Sequence, residues 1–196
     1  MSTPPKTLTD GYERFRSGKY REEADRYATL EGGQAPETMI VACADSRIDP
    51  ATIFNAAPGE LFVVRNVANL VPPCLPVDAS LHGTSAALEF AVVSLKVRNI
   101  VVMGHGGCGG IAASLALGGK QPVGKFIEPW VKLLAPARDA LTDGDDRQTA
   151  LEQAGVRQSL RNLETFPFIA DAIAEGRLSL YGAWFSIGLG ELVWLD

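Results

Sequence analysis

Short apolar runs and longer runs with helical spacing take turns along most of this chain. Residues 38–42 (Thr-Met-Ile-Val-Ala) and 99–103 (Asn-Ile-Val-Val-Met) are nearly unbroken apolar stretches, which predict strands buried on both faces. Residues 61–65 follow the Pro58-Gly59 turn and predict another strand. Residues 178–187 and 192–195 flank the turn at Gly188 to Gly190 and predict a closing hairpin. Between the strands, residues 80–97 carry Leu81, Leu88, Val92 and Leu95 at helical spacing. Residues 111–117, 126–141, 148–163 and 167–175 read as further helices, punctuated by Gly144 and Pro167. Residues 9–30 are polar with scattered Tyr12, Phe15, Tyr20, Tyr27 and Leu30, an amphipathic helical arm with little core of its own. The alternation predicts an α/β fold: a mostly parallel β-sheet of four to five strands flanked by helices. An N-terminal arm over residues 1–35 precedes an α/β domain over 36–196.

Composition narrows the partners. At 196 residues and 46% hydrophobic, the chain can bury a core without disulfides. The net charge of -5, with no cluster of Lys and Arg, points away from nucleic acid and anionic membranes. The first ten residues lack an apolar signal core, and no run approaches the roughly 20 apolar residues of a membrane span. The expected location is cytoplasmic. In a reducing compartment three free cysteines near His and Asp point to metal or catalysis rather than to a disulfide framework. With only two histidines, a His-only zinc site is impossible within one subunit, so any zinc site is thiolate-rich.

Two segments gather such residues, each at the carboxyl end of a buried run, where loops of an open α/β sheet meet. One supplies Cys43, Asp45 and Arg47; the other supplies His105 and Cys108. Two thiols, an imidazole and a carboxylate form a zinc-type set, and Cys2His with one exchangeable position is the pattern of a catalytic site. Inert packing of the cysteines competes with this reading. So does a dinucleotide loop, since Gly104, Gly106 and Gly109 spell G-x-G-x-x-G. That motif needs a second strand ending in an acid about 20 residues on. Glu128 is followed by Pro129 in a helical pattern, and Cys43, Asp45 and Cys108 are left without a task.

Cys43-Ala44-Asp45-Ser46-Arg47 resembles the C-x-D-x-R motif of β-class carbonic anhydrases, and Gly104-His105-Gly106-Gly107-Cys108-Gly109 resembles their G-H-x-x-C-G. Pro58-Gly59-Glu60, Arg65-Asn66-Val67-Ala68-Asn69 and Leu95-Lys96-Val97 are similar to other family phrases, so the likeness runs from about Gln34 to the end. Gln34, and Phe126-Ile127-Glu128-Pro129-Trp130, resemble the plant-like branch, described with an open zinc position. Ile40 stands where the other branch carries a Trp for a bicarbonate-inhibitory pocket, and Phe90 where many relatives have Tyr.

The resemblance implies a zinc enzyme, one Zn2+ per subunit on Cys43, His105 and Cys108, which hydrates carbon dioxide to bicarbonate through zinc-bound hydroxide. Asp45 is then a hydrogen-bond acceptor paired with Arg47, a conditional fourth ligand, or a turn residue. Gln34 binds substrate or bicarbonate across a dimer interface, and the Gly109 N–H takes a bicarbonate oxygen. Phe62, Val67 and Phe90 line an apolar approach. A homodimer or higher homo-oligomer is implied. Cys74 and His82 acquire no role. Carbonyl sulfide or carbon disulfide hydrolysis, and a non-catalytic zinc-binding regulator, stand as alternatives.

Overall fold

A computed structural model describes residues 3–76, 82–142 and 146–196. Its contacts separate into two compact units, Met1–Ala35 and Pro36–Asp196. The first holds three helices, α1 (Lys6–Ser17), α2 (Lys19–Glu22) and α3 (Ala24–Leu30). The single helical stretch predicted over 9–30 therefore starts earlier and is broken at Gly18 and Glu23. None of its helical residues is buried. Phe15, Tyr20 and Tyr27 pack on one another instead, with ring centroids 4.9 to 6.1 Å apart.

The second unit is built on a five-stranded sheet in the order β2-β1-β3-β4-β5. The strands are β1 (Thr38–Cys43), β2 (Leu61–Asn66), β3 (Asn99–His105), β4 (Ser179–Ser186) and β5 (Glu191–Leu195). The first four are parallel, and β5 turns back antiparallel through Gly190. Side chains alternate between faces. Met39, Val41, Ile100 and Val102 enter one core cluster; Ile40, Ala42, Val101 and Met103 enter the other. Burial on both faces is why β1 and β3 read as continuous apolar runs.

Helices α4 (Pro50–Ile53), α5 (Gly83–Glu89), α6 (Gly109–Gly118), α7 (Ile127–Val131), α8 (Ala135–Asp139), α9 (Arg147–Leu163) and α10 (Pro167–Ala174) connect the strands. Asp146 caps α9 by accepting the Thr149 N–H at 2.9 Å, and Pro167 opens α10.

Two predicted helices are corrected. The stretch over 80–97 becomes α5 followed by a π-type turn at Phe90–Leu95, ended by Lys96 in the left-handed region; Ser80 and Leu81 lie outside the described residues. The stretch over 126–141 splits into α7, a 3-10 turn at Lys132–Leu134, and α8. Pro136 offers no N–H to the turn before it, and its ring crowds the carbonyl at Lys132. Gly144 also lies outside the described residues.

What positions the site is the strand order. After β1 the chain moves to one side of the sheet for β2, then returns to the other side for β3. The crevice beyond the carboxyl ends of β1 and β3 is thus a topological switch point.

Candidate metal centre

Cys43 is the last residue of β1 and His105 the last of β3, so both leave the sheet at the switch point. Cys108 follows at the N-cap of α6. The chain turns between them through Gly107, whose φ of 66° is a conformation glycine adopts without steric cost. Gly110 lets α6 close on the loop after β2. A Cβ there would lie 2.6 Å from Val67 Cγ1 and 2.9 Å from Ala68 Cβ. As a result the ligand atoms of Cys43, His105 and Cys108 lie within 4.8 Å of one another, all three residues buried. The two sulfurs are 3.9 Å apart.

The donor set fits a metal. His105 Nδ1 is 3.0 Å from the Gly106 carbonyl oxygen. A carbonyl only accepts, so Nδ1 carries the hydrogen and Nε2 presents its lone pair. His105 is fully buried, and Nε2 has no hydrogen-bond partner. A buried, orphaned lone pair aimed at two sulfurs calls for an electron-pair acceptor. The thiols agree. The Cys43 thiol is pulled well below its usual range, chiefly by the Cys108 thiol and against burial, with help from His105 and the N–H groups of Asp45 and Ala68. Cys108 is pushed up by the Cys43 sulfur and by burial. One thiolate forms readily and the second resists, because the pair lacks positive charge. A dication between them supplies it. Burial also works against a charged His105, yet the Cys43 sulfur turns the net shift upward.

Asp45 sits beside this cluster, Oδ2 3.9 Å from His105 Nε2. Arg47 grips it in a fork: Nε donates to Oδ1 at 2.9 Å and Nη2 to Oδ2 at 2.7 Å. The Arg47 backbone N–H adds a third bond to Oδ1 at 2.9 Å. The Arg47 side chain, then its N–H, hold the carboxyl well below the usual carboxylate range. Arg47 Nη2 also donates to the Gly107 carbonyl at 3.0 Å, tying the two loops together. The pairing of Asp45 with Arg47 is thus present in the structure.

Other predicted residues scatter. Gly109 opens α6, with open space where a Cβ would stand. Val67 lies against Gly110, and its carbonyl accepts the Trp130 indole N–H at 2.8 Å. Phe62 stands opposite Met39, four residues before Cys43 and so about 13 Å back along the strand. Its ring meets Phe90, 5.9 Å between centroids. The two rings therefore meet each other back along the sheet from the strand end that carries Cys43. Gln34 is exposed, after α3 in the first unit. Glu128 lies in α7 and pairs with Lys132 at 2.8 Å, so no acid-ended strand exists there for a dinucleotide. Cys74 is exposed, and His82 precedes α5. A cavity of about 960 Å³ opens at the opposite ends of the strands beside Thr38 and Asn99 and contains none of the metal-facing residues.

Sequence reasoning passed over two supports. Arg65 at the end of β2 donates to the carbonyls of Cys43 at 2.9 Å, Asp45 at 2.6 Å and Ile48 at 2.6 Å, clamping the loop after β1. Behind Cys108 lies Glu152, only 2% exposed, whose Oε1 accepts the Cys108 N–H at 3.0 Å. A signal was available: Glu152, Val156, Ser159 and Leu163 share one face of α9 at helical spacing, and an acid on an apolar face is not solvated.

Comparison with known proteins agrees with this geometry. The carbonic anhydrase family model matches residues 38–192. The chain is 35% identical over 192 residues to beta carbonic anhydrase 3 of Arabidopsis thaliana, covering 93% of this chain and 73% of the relative. Among solved structures, the β-carbonic anhydrase CcaA superposes with a TM-score of 0.86 at 32% identity, over 97% of this chain and 94% of that one. A tetrameric β-carbonic anhydrase of Sordaria macrospora gives 0.84 at 34% identity, over 97% and 95%. The fold and site thus define an α/β zinc lyase, and the chain belongs to the β-carbonic anhydrase family. It is a carbonate dehydratase, and its cofactor is zinc.

Proposed function

We propose that this protein hydrates carbon dioxide to bicarbonate and a proton at the crevice between β1 and β3, with zinc held by Cys43, His105 and Cys108. The observation that carries the reading is the buried, unpartnered His105 Nε2 facing two sulfurs, with Asp45 beside it and held by Arg47. When bound, zinc supplies an acidified water as nucleophile, less acidified here than beside three imidazoles because two thiolates offset its charge. Asp45, kept ionised by Arg47, has only lone pairs to offer. Its Oδ2, 3.9 Å from His105 Nε2, would be the acceptor that takes a hydrogen bond from such a water and orients it toward the substrate carbon. Arg47 holds that carboxylate in its fork, which would keep it from serving as a further metal ligand. The Gly109 N–H, at the start of α6, takes the oxygen on which bicarbonate charge develops. Carbon dioxide is uncharged, so Val67 at the crevice needs only to exclude competing water.

The chain acts as a homo-oligomer, a reading supported by the tetrameric relatives from Sordaria macrospora. Phe62 lies on edge strand β2 and Phe90 is 46% exposed; with Gln34 they are available to a neighbouring subunit's site. Stopped-flow hydration on zinc-loaded protein tests the proposal. The rate should climb toward alkaline pH. Protein carrying one zinc per chain yet no faster than buffer sinks the reading.

A further inference from the structure

Glu152 is a carboxylate buried where the reaction has no use for it. Its Oε1 accepts two hydrogen bonds, from the Cys108 N–H at 3.0 Å and from Gln148 Nε2 at 2.7 Å. Its Oε2 accepts the Trp184 indole N–H at 3.0 Å. Gln148 Nε2 reaches the Cys108 carbonyl as well, at 3.0 Å. Two side chains one turn apart on α9 therefore bracket a single residue, one taking the N–H of Cys108 and the other giving to its carbonyl. Trp184 anchors the bracket to the sheet, since it stands opposite Gly104, next to His105.

Nothing in this arrangement serves folding alone at low cost. A buried carboxylate loses its hydration, a cost offset only when its lone pairs are filled. A Leu or Met at 152 would fill the same core space without that penalty. The gain is directional. Cys108 lies at the N-cap of α6, and a side-chain acceptor behind its own N–H restrains the backbone that aims the sulfur.

We propose that Glu152, with Gln148 as its second arm, is a positioning residue for the metal centre: it locks the Cys108 backbone so that Sγ stays within reach of Cys43 and His105, and thereby slows metal loss. The inference rests on the zinc reading above. Partners of this kind change metal affinity or activity by about 10- to 100-fold when removed.

The chemistry of substitution makes the test sharp. Glu152→Ala removes every acceptor. Glu152→Gln keeps one oxygen, which can still take the Cys108 N–H, but its NH2 then faces the Trp184 N–H, donor against donor. Zinc release from the holoenzyme into excess chelator should therefore speed up by at least about 10-fold in Glu152→Ala and by less in Glu152→Gln. The sulfur-to-metal charge-transfer band of cobalt-substituted protein should shift in the same order. A purely structural role would lower the unfolding temperature of metal-free protein and leave both readouts untouched.

Wild-type release rates and an unshifted cobalt band in folded Glu152→Ala overturn the inference. If that variant does not fold, Gln148→Ala serves: Gln148 is partly exposed, its loss removes the donor shared by the Cys108 carbonyl and Glu152 Oε1 but leaves the Cys108 N–H its acceptor, and a wild-type release rate there overturns the inference equally. Wild-type protein that retains no zinc at all refutes the site assignment instead, a result distinguishable from failure of Glu152 alone.

Discussion

The loop after β1 is held by charge and stands partly in water. Arg47, 52% exposed, forks onto Asp45, and the Arg65 guanidinium collects three carbonyls of the same loop. The loop after β3 is buried and held by close packing together with the hydrogen bonds that bracket Cys108. His105 is fully buried, Cys108 is 1% exposed, and Gly107 and Gly110 give the turn and the close helix approach. The difference teaches how one site divides its labour. Charged, solvent-facing contacts can be redrawn by one side-chain movement, which suits the half that carries the Asp45–Arg47 pair. Close-packed contacts cannot, which suits the half that must keep ligands in place between turnovers.

Breaking the packed half directly should cost most. His105→Ala or Cys108→Ser leaves two donors of three, and the loss should exceed the roughly 100-fold upper range seen for supporting partners. Zinc content and hydration rate, measured together, should both collapse. Breaking the charged half should separate those two readouts. In Arg47→Ala the freed Asp45, whose Oδ2 lies 3.9 Å from His105 Nε2, can turn toward the metal, so turnover should fall by about 10- to 100-fold while zinc stays bound. An Arg47→Ala protein with full turnover removes the dyad from the mechanism.

Gly110→Ala probes the packed half through sterics alone. The new methyl meets Val67 and Ala68 at under 3 Å, and Ala68 is itself at φ 64° with no slack, so overpacking should cost about 1 to 3 kcal/mol in denaturant unfolding. The smallest effect is electrostatic. Asp45 is depressed in the folded state, so its pairing with Arg47 contributes stability fully above the unfolded carboxyl pKa of about 3.9. That contribution drains away as pH falls below about 4. Unfolding of wild type and Asp45→Asn compared from pH 6 to pH 3 should show the gap closing on the acid side; a constant gap contradicts the pairing.

Much of this was legible beforehand. The runs at 38–42 and 99–103 marked β1 and β3 because strands buried on both faces leave no polar alternation to misread. Cys43, His105 and Cys108 were legible because two strand ends carried them beside Asp45 and Arg47. The breaks at Gly18 and Pro136 and the π-type turn at Phe90 were not, since helical spacing records which face is apolar and says little of where the ladder changes pitch.

By itself, then, the order of residues determined which atoms could bind a metal and which strands would deliver them, because both follow from side-chain chemistry and local periodicity. Tertiary structure alone decided that Arg47 bridges to Gly107, that the Phe62 and Phe90 rings lie away from the sulfurs, and that Glu152 backs Cys108 from 44 residues away. Those contacts depend on how α9 and the edge strand pack against the sheet. Distances across the chain come from the closing of a whole core, which no window of sequence contains.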